Sequence, residues 1–103
     1  MISASLTKAE RRAIYERDGW RCALCDSTKH IQIHHVVPRG HGGNNKPCNL
    51  ITLCATCHAH IHGIIPDYSE FTPEDIARMA LEYVSDIYAD EYWPFERSGA
   101  WLE

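Results

Sequence analysis

Four of the five cysteines form two CxxC pairs, Cys22 with Cys25 and Cys54 with Cys57. Two such pairs together supply the four thiolates that a tetrahedral structural zinc ion prefers. A disulfide framework and a thioredoxin-type redox site are the alternatives. The first is disfavoured because the opening residues do not read as a secretory signal, and the second because it needs only one pair. The spacing predicts a structural Zn²⁺ site, with Cys48 left as a small buried residue.

Seven histidines lie outside this thiol set, and their spacing allows a second metal site. His58 and His62 are four residues apart on a predicted short helix, so their rings project from one face and can share an ion; a solvated helix face is the alternative. His34 and His35 are adjacent in a β-branched stretch. Neighbours on a regular strand face opposite ways, so both can serve one site only at a strand end or bulge, with Pro38 forcing the exit.

The elements that would position these side chains can be read from helix caps and hydrophobic periodicity. Thr7 and Glu10 fit a capping box at the start of one helix. Thr72, Pro73 and Asp75 begin another, whose apolar residues recur every three or four positions. The predicted elements are helices at residues 8–18, 55–63 and 73–91, strands at 31–37 and 50–53, and a glycine-, proline- and asparagine-rich loop at 38–49.

Size and charge restrict the class of protein. With 103 residues, 45% of them hydrophobic, the chain has the composition of one globular domain, and no apolar run approaches the ~20 residues of a membrane span. We therefore expect a cytoplasmic single domain, with a zinc-stabilised core in residues 1–65 and a helical extension in 66–103. The core holds eight basic and four acidic residues, the extension two and ten. This division permits a polyanionic partner without requiring one.

Four motifs, CALC, IHHVVPRGHGG, CNLITLC and ATCHAHIH, occur in this order between residues 17 and 62. Together they resemble the HNH endonucleases of the ββα-metal fold that carry zinc-bound cysteine pairs. The resemblance implies an α+β fold with a treble-clef-like ββα-metal core, an N-terminal helix and a C-terminal amphipathic helix. It also implies a metal-dependent hydrolase that acts on double-stranded DNA.

The resemblance further implies a role for each matching side chain. His34 matches the first ligand of a catalytic divalent ion, and His35 matches the general base. Asn49 matches the middle asparagine that braces the loop and is grouped with His35 as catalytic. His58 matches the last motif ligand of the ion, and His62 matches a further ligand used only in the histidine-rich branch of the family.

The proposed ligands bear on the choice of metal, and the basic residues bear on DNA binding. Imidazole nitrogens suit Mn²⁺ or Ni²⁺ better than Mg²⁺, which prefers oxygen, so we expect stronger activity with the first two ions. Candidate phosphate contacts are Arg39 and Lys46 on the loop and Arg11, Arg12, Arg17 and Arg21 in or near the first helix. A solvated surface role is the alternative for each of them.

The sequence thus predicts an HNH endonuclease that nicks one DNA strand per active site and leaves 5′-phosphate and 3′-hydroxyl ends. A double-strand cut would need a homodimer or two events, and a phage packaging partner is a further expectation from the resemblance. The alternatives are a non-catalytic zinc module that binds DNA or protein, and an adaptor that docks a partner through its acidic helix and aromatic tail. That tail holds Trp93, Phe95 and Trp101, which either pack back on the domain or contact a partner.

Overall fold

The computed structural model describes residues 6–67 and 69–96. Within them the helices are α1 (Lys8–Arg17), α2 (Ala55–Ile61) and α3 (Pro73–Tyr88), and the strands are β1 (Ile31–His35) and β2 (Leu50–Cys54). Single turns of 3-10 helix lie at Arg39–His41, Pro47–Asn49 and Ala89–Glu91. The predicted α+β class is confirmed, and β1, β2 and α2 follow one another in the ββα order.

Both α1 and α3 begin with a capping box. The Thr7 hydroxyl accepts a hydrogen bond from the Glu10 backbone N–H, and the Glu10 carboxylate accepts one from the Thr7 N–H. Thr72 and Asp75 repeat this arrangement at α3. These reciprocal bonds satisfy backbone donors that a helix start otherwise leaves unpaired, so both starts lie where the sequence predicts them. At its other end α3 stops at Tyr88, earlier than predicted, and a 3-10 turn covers the last three residues.

The strand β1 is two residues shorter than predicted, and the cause is a side chain of the following loop. The Asn49 Oδ1 atom accepts a hydrogen bond from the Val37 N–H at 2.7 Å, and its Nδ2 atom donates to the Val37 carbonyl at 2.9 Å. Val37 therefore bonds to an amide side chain instead of a neighbouring strand. The antiparallel ladder with β2 ends at the pair His35 and Leu50, which puts His35 at a strand end.

The core lies between the β-hairpin and the long C-terminal helix. All five residues of β2 are buried, and α3 contributes Ala80 and Val84 to the cluster that they form. The buried members of this cluster are Cys22, Ile51, Leu53, Cys54, Ala80 and Val84. Because α3 fills part of the same core, residues on both sides of position 66 stabilise one structure. The predicted division at residues 1–65 and 66–103 stays a prediction.

A buried carboxylate joins α1, β2 and α3. Asp18 accepts hydrogen bonds from the Arg17 side chain at 2.8 and 2.9 Å, the Tyr83 hydroxyl at 2.8 Å and the Thr52 backbone N–H at 3.0 Å. Burial alone would raise the pKa of Asp18, but the hydrogen bonds from Arg17 and Tyr83 outweigh it and hold the pKa below its usual value. The ionised carboxylate thus fixes the end of α1 against the hairpin.

The segment after α3 packs back on the glycine-rich loop. Asn44 donates its backbone N–H to the Pro94 carbonyl at 2.8 Å and its side-chain amide to the Trp93 and Phe95 carbonyls at 2.9 and 3.1 Å. Trp93 and Phe95 therefore belong to the domain surface, while Trp101 lies outside the described residues. None of the helices in residues 6–67 and 69–96 has the length and apolar character that a membrane crossing requires.

Candidate functional site

The two CxxC pairs converge into one cluster of sulfur atoms. Their Sγ atoms all lie within 4.8 Å of one another, and those of Cys25 and Cys54 are 3.6 Å apart. A disulfide would bring them to about 2.05 Å, whereas the edge of a tetrahedron of sulfurs around zinc is about 3.8 Å. The four thiols therefore have the donor set and spacing that fit a structural zinc ion.

Local structure explains why the thiols meet. Cys22 and Cys25 lie in the turn before β1, which closes through a hydrogen bond from the Cys22 N–H to the Ser27 carbonyl at 2.8 Å. Cys54 ends β2 and caps α2, where its sulfur accepts from the Cys57 N–H. A hydrogen bond from the Cys57 thiol lowers the pKa of Cys22 to about 4, and the same contact raises the pKa of Cys57. The cluster thus stabilises a thiolate, the form that binds zinc.

Three histidines form a second cluster. His34 lies on β1, and His58 and His62 lie one turn apart at α2, with ring nitrogens that all fall within 4.8 Å of one another. The ring centroids are 5.1 Å apart for His34 and His58, 5.7 Å for His34 and His62, and 4.8 Å for His58 and His62. The structure therefore brings these three predicted ligands to one point, with a spacing that lets them share an ion.

The environment of His34 and His58 favours their neutral imidazole form. His34 is buried, and desolvation together with the neighbouring rings of His58 and His62 lowers its pKa to about 4. Desolvation and His62 also lower the pKa of His58. A neutral imidazole keeps the lone pair that a metal ligand needs, so His34 can bind a divalent ion without first losing a proton. The donor set of three nitrogens fits an ion of the Mn²⁺, Ni²⁺ or Zn²⁺ type.

His35 lines the same open cleft as the three clustered histidines. The cleft has a volume of about 250 Å³, and its lining residues are Ile33, His34, His35, Pro38, Arg39, His58 and His62. The Nε2 atom of His35 lies 2.7 Å from Oδ1 of Asn45. Because an amide oxygen only accepts hydrogen bonds, Nε2 must carry the proton, which leaves the Nδ1 lone pair for another proton. Asn45 was not predicted as a site residue, since an asparagine in a glycine-rich loop reads as a turn residue.

Asn49 lies behind the cleft and is not one of its lining residues. It is fully buried, and its Nδ2 atom donates hydrogen bonds to the Val37 carbonyl and to the Asn44 carbonyl, each at 2.9 Å. These bonds connect the two arms of the loop. Gly43 completes this junction, because a Cβ atom there would lie 1.8 Å from the Val37 carbonyl oxygen and 2.9 Å from Nδ2 of Asn49. Only glycine fits at such an approach. In this structure Asn49 acts on loop shape, and we treat it as a positioning residue.

Four of the six basic residues expected at phosphates lie in different surroundings. Arg39 lines the cleft, and its guanidinium donates to the Gly43 carbonyl at 2.9 Å and to the Glu96 carboxylate at 2.6 Å. Arg21 is exposed and reaches Asp26 at 4.0 Å. Lys46 is exposed on the loop. Of these, Arg39 is the cation that the structure brings to the histidines.

Arg17 has a structural environment instead. Its guanidinium pairs with Asp18 and donates to the Leu50 and Pro47 carbonyls at 2.6 and 2.9 Å and to the Tyr88 hydroxyl at 3.2 Å. These bonds leave it few free donors, so we assign Arg17 to the junction of α1, β2 and α3 and not to a phosphate contact. The sequence could not reveal this, because the Pro47, Leu50 and Tyr88 acceptors lie 30 or more residues away along the chain.

The remaining histidine of α2 points away from the cleft, as its spacing implies. His60 is buried, and its Nε2 atom lies 2.8 Å from the Phe71 carbonyl. It borders a cavity of about 360 Å³ between the thiol cluster, α2 and α3. This cavity is the larger of the two, but it contains none of the clustered imidazoles. The open cleft therefore remains the candidate site.

Residues 22–63 match the HNH endonuclease family model, and this segment contains both cysteine pairs and all four cleft histidines. A 39-residue stretch is 36% identical to the type IV methyl-directed restriction enzyme EcoKMcrA of Escherichia coli strain K12, covering 38% of this chain and 14% of that enzyme. A 56-residue stretch is 29% identical to Anaredoxin of a Nostoc species, covering 53% of this chain and 72% of that protein. The chain thus spans only a small part of the restriction enzyme. The family match and the thiol cluster agree with the predicted ββα-metal fold.

Proposed function

We propose, from the match of residues 22–63 to the HNH endonuclease family, that this protein is a metal-dependent endonuclease that hydrolyses double-stranded DNA. The observation that carries the proposal is the position of His35. It lines one cleft with the three clustered imidazoles, separate from the four thiols. A zinc module that only binds DNA or protein needs the thiols alone and has no use for the histidine cleft.

In this proposal the residues divide the work of hydrolysis. His34, His58 and His62 would hold a divalent ion, whose chemistry is to stabilise charge on the phosphate and on the departing 3′ oxygen. His35 takes a proton from the attacking water at Nδ1, while Asn45 holds the other ring nitrogen in its donor form. The water oxygen bonds to phosphorus and the bond to the 3′ oxygen breaks. That oxygen takes up a proton from solvent, which yields 5′-phosphate and 3′-hydroxyl ends.

The loop residues orient the substrate and the base. Arg39 lies at the edge of the cleft, where its guanidinium can donate to a phosphate oxygen in place of Glu96. Asn49 and Gly43 keep the two arms of the loop together, and this holds Asn45 within reach of His35. Lys46 and Arg21 are exposed cations that can extend the phosphate contacts.

The ligand set also bears on metal choice and on the product. Three nitrogen donors favour Mn²⁺ or Ni²⁺ over Mg²⁺. The described residues of one chain form one such cleft, so we expect one strand to be nicked per event. A double-strand cut would then need a second copy or a second encounter. A homodimer and a phage packaging partner remain expectations that rest on the resemblance alone.

Supercoiled plasmid provides the test. Zinc-loaded protein is freed of other divalent ions and incubated with plasmid in Mn²⁺, Ni²⁺ or Mg²⁺. We expect open-circle product with Mn²⁺ and Ni²⁺, less with Mg²⁺, and none with His35→Ala. His41→Ala is the matched control, because His41 is an exposed histidine outside the cleft. Intact plasmid in every metal would leave the non-catalytic zinc module as the function.

A further inference from the structure

A second surface of the protein combines positive charge with a stacked pair of aromatic rings. Lys8, Arg11, Arg12, Tyr15 and Trp20 surround one shallow concavity of about 230 Å³ on α1 and the turn after it. We call these five residues the basic-aromatic patch. It shares no residue with the histidine cleft and precedes the segment that matches the HNH family.

The three cations of the patch form no salt bridge with the described residues. Lys8, Arg11 and Arg12 are exposed, and no carboxylate of the described residues lies within 4.0 Å of them. The Glu10 carboxylate on the same helix is hydrogen-bonded to the Thr7 N–H. Three unpaired cations on one helix face, in a chain of net charge −4, indicate a local site for an anionic partner.

The backbone conformation of Trp20 and its stacking on Tyr15 keep the indole ring at the surface. Trp20 has a φ of +57°, a left-handed conformation that bulky residues rarely adopt, and its N–H donates to the Tyr15 carbonyl at 2.8 Å. Its ring stacks on Tyr15 with centroids 5.1 Å apart and an interplanar angle of 27°, yet Trp20 remains 50% exposed. The turn thus presents a supported indole face to solvent beside the cations.

We propose that the basic-aromatic patch binds an unpaired stretch of DNA, with one base stacked on Trp20 and the flanking phosphates on Lys8, Arg11 and Arg12. Aromatic side chains beside a basic surface are how proteins hold single strands without reading their sequence. A base inside a duplex has both faces covered, so the indole favours unpaired substrate. The choice of DNA as the nucleic acid rests on the proposed function; the stacking itself does not.

Binding is measured with the zinc-loaded His35→Ala protein without other divalent ions, so that no cleavage interferes. The probes are a fluorescently labelled 12-residue oligothymidylate and a 12-base-pair duplex, read by fluorescence anisotropy. Trp20→Ala should weaken oligothymidylate binding about tenfold and leave duplex binding unchanged. Trp20→Phe keeps an aromatic face, so its loss should stay within about threefold. Retained zinc content and circular dichroism would show that both variants fold.

Charge reversal tests the second half of the patch. The double variant Arg11→Glu with Arg12→Glu should weaken both probes and reduce the magnitude of the salt slope for oligothymidylate by about 1.4. Lys29→Glu is the control, because it changes charge at an exposed position outside the patch. Lys29→Glu changes the net charge half as much as the double variant does. If it weakens oligothymidylate binding by the same free energy per unit of charge, the effect comes from net charge and the proposal is overturned.

Other results would also overturn it. Unchanged oligothymidylate binding in Trp20→Ala would show that no base stacks on Trp20. An equal loss of duplex and oligothymidylate binding in Trp20→Ala would make the patch a duplex site. Tighter, Trp20-dependent binding of the matching oligouridylate would identify RNA as the occupant. Plasmid cleavage by the protein with intact His35 is measured separately. A protein that fails to cleave plasmid can therefore still confirm or contradict binding at the patch.

Discussion

His35 and Asn45 are joined side chain to side chain across the glycine-rich loop, with 2.7 Å between Nε2 and Oδ1. The contact places the ring proton of His35 on Nε2 and leaves Nδ1 able to accept another proton. A hydrogen bond of this kind fixes both the tautomer and the ring orientation of a general base. In the proposed mechanism the loop would therefore contribute to catalysis through the Asn45 amide, which orients His35.

Replacing Asn45 by alanine should lower kcat by about 100-fold, because a misoriented base loses its alignment with the attacking water. KM should change little, since Asn45 makes no predicted substrate contact. Asn45→Asp retains an acceptor for Nε2 and should recover most of the rate. Steady-state plasmid or oligonucleotide cleavage measures both constants. If Asn45→Asp is as inactive as Asn45→Ala, the residue acts only on loop folding.

The wild-type protein should hold two divalent ions per chain, one at the thiols and one at the imidazoles. His58→Ala combined with His62→Ala should remove the second ion and leave the zinc, because two of its three proposed ligands are lost. Elemental analysis of protein dialysed against limiting Mn²⁺ and Zn²⁺ gives the ratio. His41→Ala should retain both ions. A wild-type chain that binds one ion at every Mn²⁺ concentration contradicts the ligand assignment.

Glu96 pairs with Arg39 at 2.6 Å and so would compete with a bound phosphate for the same guanidinium. Glu96→Gln should raise DNA affinity by a few fold at low salt, while stability changes by at most ~1 kcal/mol because the pair is exposed. Fluorescence anisotropy with duplex DNA measures the affinity. Glu91→Gln removes the same charge from an exposed position nearby and serves as the control. Equal gains in the two variants would indicate a general charge effect.

The Asp18 carboxylate is fully buried among Arg17, Tyr83 and the Thr52 N–H. Asp18→Ala leaves a buried guanidinium and a backbone donor without their partner, which should lower the free energy of unfolding by about 3–5 kcal/mol. Urea denaturation of the zinc-loaded protein measures it. Asp26→Asn breaks an exposed pair at 4.0 Å, keeps a residue type that tolerates the positive φ of this position, and should cost under ~1 kcal/mol. Similar losses would show that the buried junction contributes little.

His34 should make stability depend on pH below neutrality. Burial and its neighbours lower its pKa to about 4, against an ordinary value of 6.5. As pH falls from 6.5 toward 4, the unfolded chain gains a proton at this residue before the folded chain does, so stability falls. Urea midpoints of zinc-loaded protein without the second ion, at pH 7.0, 6.5, 6.0 and 5.5, should therefore decline less in His34→Asn. Parallel declines would mean that His34 titrates normally when folded.

Much of the architecture follows from interactions between residues close in the chain. A capping box spans four residues, so Thr7 and Thr72 predict the helices that they begin. A CxxC pair is a local turn, and two of them predict a zinc site before any fold is known. The spacing of His58 and His62 likewise follows from the helical repeat alone. These features were predictable because each depends on a few adjacent residues.

The tertiary structure decided the features that depend on distant partners. Arg17 and Arg39 are both arginines in a basic stretch, yet one is bonded to the 47–50 backbone and Asp18 while the other lies beside the histidines. Asn45 and Asn49 are both loop asparagines, yet one bonds His35 and the other the backbone of Val37. Residue type and local spacing do not distinguish these cases. Only the folded chain sets which polar group lies within hydrogen-bond distance of another.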